Sequence, residues 1–246
     1  MPVSRPAGDT GGADPAVAAA LAGYAAGTAT ELSVLTAVAA SRLLVPVVAV
    51  AAETGDDGAE KETEMALPTL IGNDGRKAVI AFTSTEMVSR WRRDARPVPV
   101  PAARLWPAVA AERADAVVID VAGPVPLVVE GTRLAALAQG APPPAPHQDP
   151  DVHAQVAAVT PGFTLEPGGP DAELTVVLHE YGSGPAGPGA PDRQDGQDAP
   201  DGKDGQDAPA AARAAAQAIA ARLAPRFRRG ITFRLAVPGG ARPRSG

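Results

Sequence analysis

Short apolar runs bounded by turn residues, alternating with helical periodicities, organise this chain, and the clearest pattern lies between residues 64 and 97. Residues 65–71 and 77–82 are two apolar runs separated by Gly72-Asn73-Asp74-Gly75-Arg76. An Asn-Asp-Gly core tolerates positive φ, which a close hairpin connection requires. Directly after the second run, Thr83-Ser84-Thr85-Glu86 has the spacing of a capping box. Thr83 would accept from the amide three residues on, Glu86 would reach back, and Phe82 and Met87 would clamp the helix start from both sides. Met87, Val88 and Trp91 then form an apolar face, and Arg90, Arg92 and Arg93 stay in water. Pro97 is expected to end that helix.

The flanking segments follow the same logic. Asp14-Pro15 reads as an N-cap with proline at the first helical position, opening an Ala-rich helix to about residue 23. Thr28 and Glu31 repeat the capping-box spacing, with Leu32, Leu35 and Ala39 on the buried face of a second helix. Residues 42–50 read as a strand in which Pro46 cannot donate to a ladder, so the strand is an edge or bulges there. Residues 54–63 are a charged loop. After Pro97, Val-Pro-Val-Pro reads as an extended connector, followed by a helix at 102–112. The nearly continuous apolar run at 116–121 suits a strand covered on both faces. Gly123-Pro124 turns it, 127–129 pairs back, and a helix over 132–139 stops at Gly140.

Beyond a Pro-rich linker at 141–150, strands are expected at 152–159, 164–166 and 173–179. Ala212, Ala216, Ile219 and Leu223 then mark one helical face, and Ile231, Phe233, Leu235 and Val237 alternate in a last strand. The expected fold class is α+β: a mixed or antiparallel sheet with flanking helices, plus a smaller C-terminal α/β module. The expected organisation is a disordered segment at 1–13, a domain at 14–140, the linker, and a module at 151–246 with a disordered insertion at 183–209.

Composition sharpens this outline. Aromatic residues make up 3% of the 246-residue chain, so its core must be built from Ala, Val and Leu. The absence of cysteine excludes disulfides, thiolate metal sites and thiol nucleophiles. The most apolar window, 32–52, carries Arg42 and Pro46. An arginine there costs about 2.5–3.5 kcal/mol on insertion, so a helix followed by a strand explains the window better than a membrane span. With no secretory signal at 1–10, the expectation is a soluble, cytoplasmic protein.

Candidate chemistry is sparse. Asp192, Asp195, Asp198, Asp201, Asp204 and Asp207 recur every three residues, but the ligand order of a calcium loop is missing, and a charged flexible spacer is the better reading. From residue 210 onward there are eight arginines and no acid. The scarcity of interleaved aromatics and of any helix-turn-helix, zinc or RNP pattern argues against nucleic acid. His147, His153 and His179 lack ligand spacing, so no metal or cofactor is expected. Ser84, Asp120 and His179 could be assembled into a triad, but Ser84 lacks a nucleophile elbow. The best candidate binding patch is Arg90, Trp91, Arg93 and Arg96, with Asp120 as a further candidate. Pro46, Gly72, Asp74, Gly75, Phe82, Thr83, Glu86 and Pro97 have structural roles.

Leu43-Leu-Val-Pro-Val47, Leu70-Ile-Gly-Asn-Asp-Gly-Arg76, Ala81-Phe-Thr-Ser84 with Trp91, Ala95-Arg-Pro97 and Val118-Ile-Asp120 together resemble the N-terminal domain of the SseB family. The resemblance spans about residues 30–140. It implies a bacterial protein linked by family name to serine sensitivity and to a neighbouring rhodanese-type sulfurtransferase, with no catalytic residues to carry across. A chain without cysteine cannot itself hold a persulfide. The expectation is a non-enzymatic binding or regulatory protein with a protein partner, contacting it through the groove beside the hairpin and the Met87–Arg93 helix. Two alternatives are an enzyme or effector-binding domain for a small anionic ligand, using Arg90, Arg96 and Asp120, and a basic tail docking on nucleic acid or a membrane surface.

Overall fold

The computed structural model describes residues 10–47, 69–179 and 204–236, the last without the side chains of 204–209. The charged loop at 54–63, the first part of the hairpin strand and most of the expected insertion lie outside the described residues. The chain divides into two compact units, Met1–Pro144 and Ala145–Gly246. The fold is α+β, with seven helices and three sheets among the described residues.

Asp14 caps α1 (Pro15–Ala25), its carboxylate accepting from the amides of Ala16 and Val17, with proline at the first position. The second helix, α2 (Glu31–Ala39), starts differently from the capping-box expectation. Thr30 is the cap and accepts from Ser33 N at 3.2 Å. The Thr28 hydroxyl turns back to the carbonyl of Gly23, and Glu31 is buried against Arg133. Val34, Leu35 and Val38 form the buried face.

Strand β1 (Arg42–Val47) pairs antiparallel with β4 (Arg96–Pro101), Pro46 opposite Pro97 and Leu44 opposite Pro99. Leu44 instead exchanges both backbone hydrogen bonds with Phe82 on its other side, at 2.7 and 2.8 Å. Antiparallel ladders alternate hydrogen-bonded and non-bonded pairs. Pro97, Pro99 and Pro101 recur every second residue and all fall in the non-bonded register. A proline there sacrifices no ladder bond, so the expected connector is a paired strand.

The four-stranded sheet runs β2 (Thr69–Ile71), β3 (Lys77–Ala81), β5 (Ala116–Ile119), β6 (Leu127–Glu130). β2 and β3 form the expected hairpin, with Gly75 at φ +79° and Asp74 accepting from Arg76 N and Nε. β3 and β5 are parallel, so the chain between them crosses over through α3 (Thr85–Trp91), β4 and α4 (Ala102–Ala111). β6 returns antiparallel, and α5 (Gly131–Ala138) ends at Gly140 with φ +70°. The prolines correct one expectation: α3 stops at Trp91, before Pro97, which belongs to β4.

The larger core of this unit gathers Val34, Leu35, Val79, Val117, Trp106 and Leu137, among others, between sheet and helices. A smaller cluster on the opposite face holds Leu44, Ile80, Phe82 and Val88, with Trp91 against it. Inside the unit, α2 and α5 are joined by the buried ion pair Glu31–Arg133, both side chains nearly inaccessible.

In the second unit, residues expected as a strand at 152–159 form a helix, α6 (Pro150–Ala157), after a short 3-10 turn at Pro146–Gln148. The reason is the signal already met at α1: Asp149 caps by accepting from Asp151 N, and Pro150 occupies the first turn. Val152 and Val156, four residues apart, are the buried pair. The three-stranded sheet is β7 (Phe163–Pro167), β8 (Leu174–Leu178) and β9 (Ile231–Leu235), antiparallel then parallel. The helix α7 (Asp204–Leu223) crosses between β8 and β9, and its backbone covers the last residues of the expected insertion. No helix among the described residues is long and apolar enough to cross a membrane.

The Glu31–Arg133 pair yields a stability prediction. Arg133→Ala removes the cation paired with a buried carboxylate and should cost about 3–5 kcal/mol, whereas Glu31→Leu with Arg133→Met should be close to neutral. Urea unfolding of the two variants measures both; equal losses would assign the effect to packing instead of charge.

Candidate functional site

A cavity of about 710 Å³ opens where the carboxyl ends of the parallel strands β3 and β5 meet the start of α3. One wall is the face Ala18, Leu21, Ala22 and Ala25 of α1, and the other is made by Thr83–Met87 with Pro124 and Val125. The ends of adjacent parallel strands leave a crevice where side chains from successive loops converge, the usual ligand position in open α/β sheets.

Asp120, the residue after β5, forms the floor. It is 5% exposed and adopts φ +53°, a left-handed conformation that Asp tolerates better than most residues. That turn aims the carboxylate across to β3. There Oδ1 accepts from Thr83 N at 2.9 Å, and Oδ2 accepts from Thr83 Oγ1 at 2.7 Å. The parallel ladder continues into this point, since Asp120 N donates to Ala81 O at 3.0 Å. Burial raises the Asp120 pKa above its ordinary 3.8, against the two Thr83 hydrogen bonds that pull it down.

Thr83 is therefore not the helix cap. Ser84 takes that place and accepts from Met87 N at 3.3 Å, while Glu86 pairs with Arg90 at 2.8 Å instead of reaching back. The capping-box expectation is off by one residue because Asp120 claims the Thr83 hydroxyl. Residues 10–13, expected to be disordered, are part of the site. Gly11 O accepts from Thr85 N at 2.9 Å and from Thr85 Oγ1 at 3.2 Å. At Gly11, φ is +81° and an added Cβ would stand 2.7 Å from Thr85 Cγ2, so only glycine permits this approach. Arg42 fastens the same corner by donating to the carbonyls of Thr83 (3.0 Å) and Gly12 (2.6 Å).

The other candidate residues lie elsewhere on this unit. Arg90 and Arg93 are exposed and line a shallow depression with Glu86 and Ser89. Arg96 is exposed at the start of β4. Trp91 is half-buried against Phe82, ring centroids 5.6 Å apart. No described cavity is lined by Arg90, Arg96 and Asp120 together. The cavity at the strand ends has one charged group in its floor and Glu86 at its rim; Arg42 lines no part of it.

In the second unit, His153 packs on Phe163 at 4.7 Å and His179 Nε2 lies 2.6 Å from Thr164 Oγ1, so both histidines have structural partners. Three of the C-terminal arginines are similarly engaged. Arg226 pairs with Asp149, Arg229 donates to Pro170 O, and Arg234 pairs with Glu166. Residues 237–246, with two further arginines, lie outside the described residues.

Sequence reasoning picked out Asp120 but not its partner or the α1 wall. The available signal was the chemistry of an aspartate ending an otherwise apolar strand, since a carboxylate so placed needs hydrogen-bond donors.

The pH dependence follows from linkage. A carboxyl group whose pKa is raised in the fold keeps its proton where the unfolded chain has lost it, so its contribution to stability falls as pH climbs above 3.8. Asp120→Asn removes that dependence and retains an acceptor for Thr83 N. The stability difference, variant minus parent, should therefore increase from pH 4 upward and then level off, as followed by denaturation at a series of pH values. A pH-independent difference would contradict the burial of an ionisable group here.

In comparison with known proteins, residues 17–136 match the family described as SseB protein N-terminal domain. No curated protein and no solved structure matches the chain.

Proposed function

Residues 17–136 belong to the SseB protein N-terminal domain family, and from that premise we propose that the protein is a non-enzymatic binding or regulatory protein of the bacterial cytoplasm. The cavity at the ends of β3 and β5 receives a small ligand, and the neighbouring arginine face of α3 contacts a partner protein. The observation that carries this reading is the open cavity with a single buried carboxylate. Its Ser84 hydroxyl is occupied as a helix cap, and no histidine lines the cavity. A hydroxyl nucleophile needs an adjacent base to activate it, and Ser84 accepts from Met87 N instead. Holding a molecule needs only shape and a few polar anchors, which this cavity supplies.

Glu86 joins the two surfaces, since it lines the cavity and the depression that holds Arg90 and Arg93. A ligand that draws on Glu86 would release Arg90 from its pair and change the face offered to a partner. On this reading, a link to serine sensitivity is that of an adaptor, without turnover of serine. The alternative of an enzyme for a small anionic ligand is weaker, because its three residues share no described cavity. Nucleic-acid docking is weaker too, because Arg226, Arg229 and Arg234 are held by the protein's own carboxylates and carbonyls.

Affinity capture from the native cell tests the partner surface. Arg90→Glu with Arg93→Glu should abolish capture of a specific partner while leaving thermal stability within about 0.5 kcal/mol, as expected for exposed positions. Undiminished capture by the double variant would remove α3 from the interface.

A further inference from the structure

The cavity at the strand ends is asymmetric in charge as well as in shape, and this bears on what it would hold. Asp120, a residue 5% exposed, lines its inner end, and Glu86 also lines it. The wall from α1 offers Ala18, Leu21, Ala22 and Ala25, and the loop after β5 adds Pro124 and Val125. Among the described residues, no lysine or arginine lines it. The charged groups on the packed elements are few: Arg42 on β1, Glu86 on α3, and Arg90 one turn beyond. Arg42 is committed to the carbonyls of Thr83 and Gly12, and Arg90 to Glu86.

Each oxygen of Asp120 takes one hydrogen bond from Thr83, and a carboxylate oxygen can accept two. The carboxylate therefore retains acceptor capacity at the floor of a largely apolar cavity. An anion brought there would meet like charge at low dielectric. A neutral hydroxyl would gain a hydrogen bond but leave the charge of the carboxylate uncompensated. A cation would gain a charge-assisted hydrogen bond and relieve the burial of an unpaired carboxylate.

Resting on the reading of this cavity as a binding site, we infer that its ligand class is the small amphiphilic amine: a protonated amino group on Asp120 and a short apolar body along α1. The ammonium donates to the free lone pairs of the carboxylate, and the Thr83 clasp keeps both oxygens fixed so that no reorganisation accompanies binding. The alanines of α1 leave room for a chain of several methylenes, which Leu21 and Val125 enclose from two sides. Glu86, at the rim, disfavours a carboxylate on the same molecule.

Three probes of one shape separate the ligand class from the existence of the site. The full chain is titrated calorimetrically at pH 7.5 with hexylamine, 1-hexanol and hexanoate, and backbone NMR shifts of Leu21 and Val125 report where each binds. Hexylamine should bind more tightly than either of the others by about tenfold or more, the worth of one charge-assisted hydrogen bond. Asp120→Asn should erase that preference, bringing hexylamine and hexanol to within about threefold of each other. Asparagine suits φ +53° and keeps an acceptor for Thr83, but a second variant guards against misfolding. Ala22→Lys, at an exposed position of α1, should abolish hexylamine binding without touching the core. If hexanol or hexanoate binds at Leu21 and Val125 as tightly as hexylamine, the amine class is wrong while the cavity stands as a binding site. If none of the three shifts those residues, the cavity itself is not a site and both readings fall.

Discussion

The carboxylate of Asp120 bridging to Thr83 is the constraint on which the candidate site of the N-terminal unit depends. Two parallel strands leave their sheet side by side at Ala81 and Ile119, and nothing in a parallel ladder dictates what happens beyond the last pair. Here one side chain continues the ladder. It binds the amide and the hydroxyl of a single residue on the neighbouring strand. This sets the direction in which β3 passes into α3 and holds the loop after β5 beside it. Gly123 completes the corner, where an added Cβ would sit 3.0 Å from Asp120 O and 3.2 Å from Met87 Sδ. A left-handed aspartate and a buried charge are both costly, of order 1–3 kcal/mol for the backbone alone. Their coincidence at a cavity floor is the kind of local sacrifice that functional sites retain.

The same physics explains which parts of the fold were legible in the sequence. Elements specified by their own residues were read correctly: the hairpin around Gly75, the Asp14-Pro15 start of α1, the apolar run of β5 and the Gly140 stop of α5. Elements decided by a distant partner were not. Both capping boxes had the right spacing, and both lost a member to tertiary contact: Thr83 to Asp120, and Glu31 to Arg133. No local rule contains those competitors. Judged one at a time, the prolines of β4 point to a connector, because each removes a donor. Their two-residue spacing, which places every missing donor in the non-bonded register, was the signal that would have revealed a strand. At α6, a cap-plus-proline start identical to that of α1 was passed over in favour of a strand reading of 152–159.

The site was half legible. Asp120 could be named, but the α1 wall and the Gly11–Gly12 segment could not, because residues more than seventy positions apart meet there through the crossover. Electrostatics shows the same division. The arginine-rich C-terminal stretch reads in sequence as a basic patch. In the fold, Arg226 is drawn into a pair with the fully buried Asp149, and Arg229 and Arg234 close on the loops and strand beside them. Charge counted along a sequence overstates the charge a folded surface offers to a partner. On the first unit, Arg93 and Arg96 remain exposed, beside Arg90 in its pair with Glu86.

What results is an opening at one end of the sheet, beside a buried carboxylate bridged to Thr83. The claim that the Asp120–Thr83 bridge shapes that opening can be tested on a single proton. The Thr83 amide lies beyond the last ladder pair of β3, so without the bridge it would exchange with solvent on the timescale of a loop. Native-state hydrogen exchange followed by NMR should instead find it protected to the level of Phe82, whose amide is bonded to Leu44. Protection at Phe82 with rapid exchange at Thr83 would show that the bridge does not persist in solution and would contradict the account.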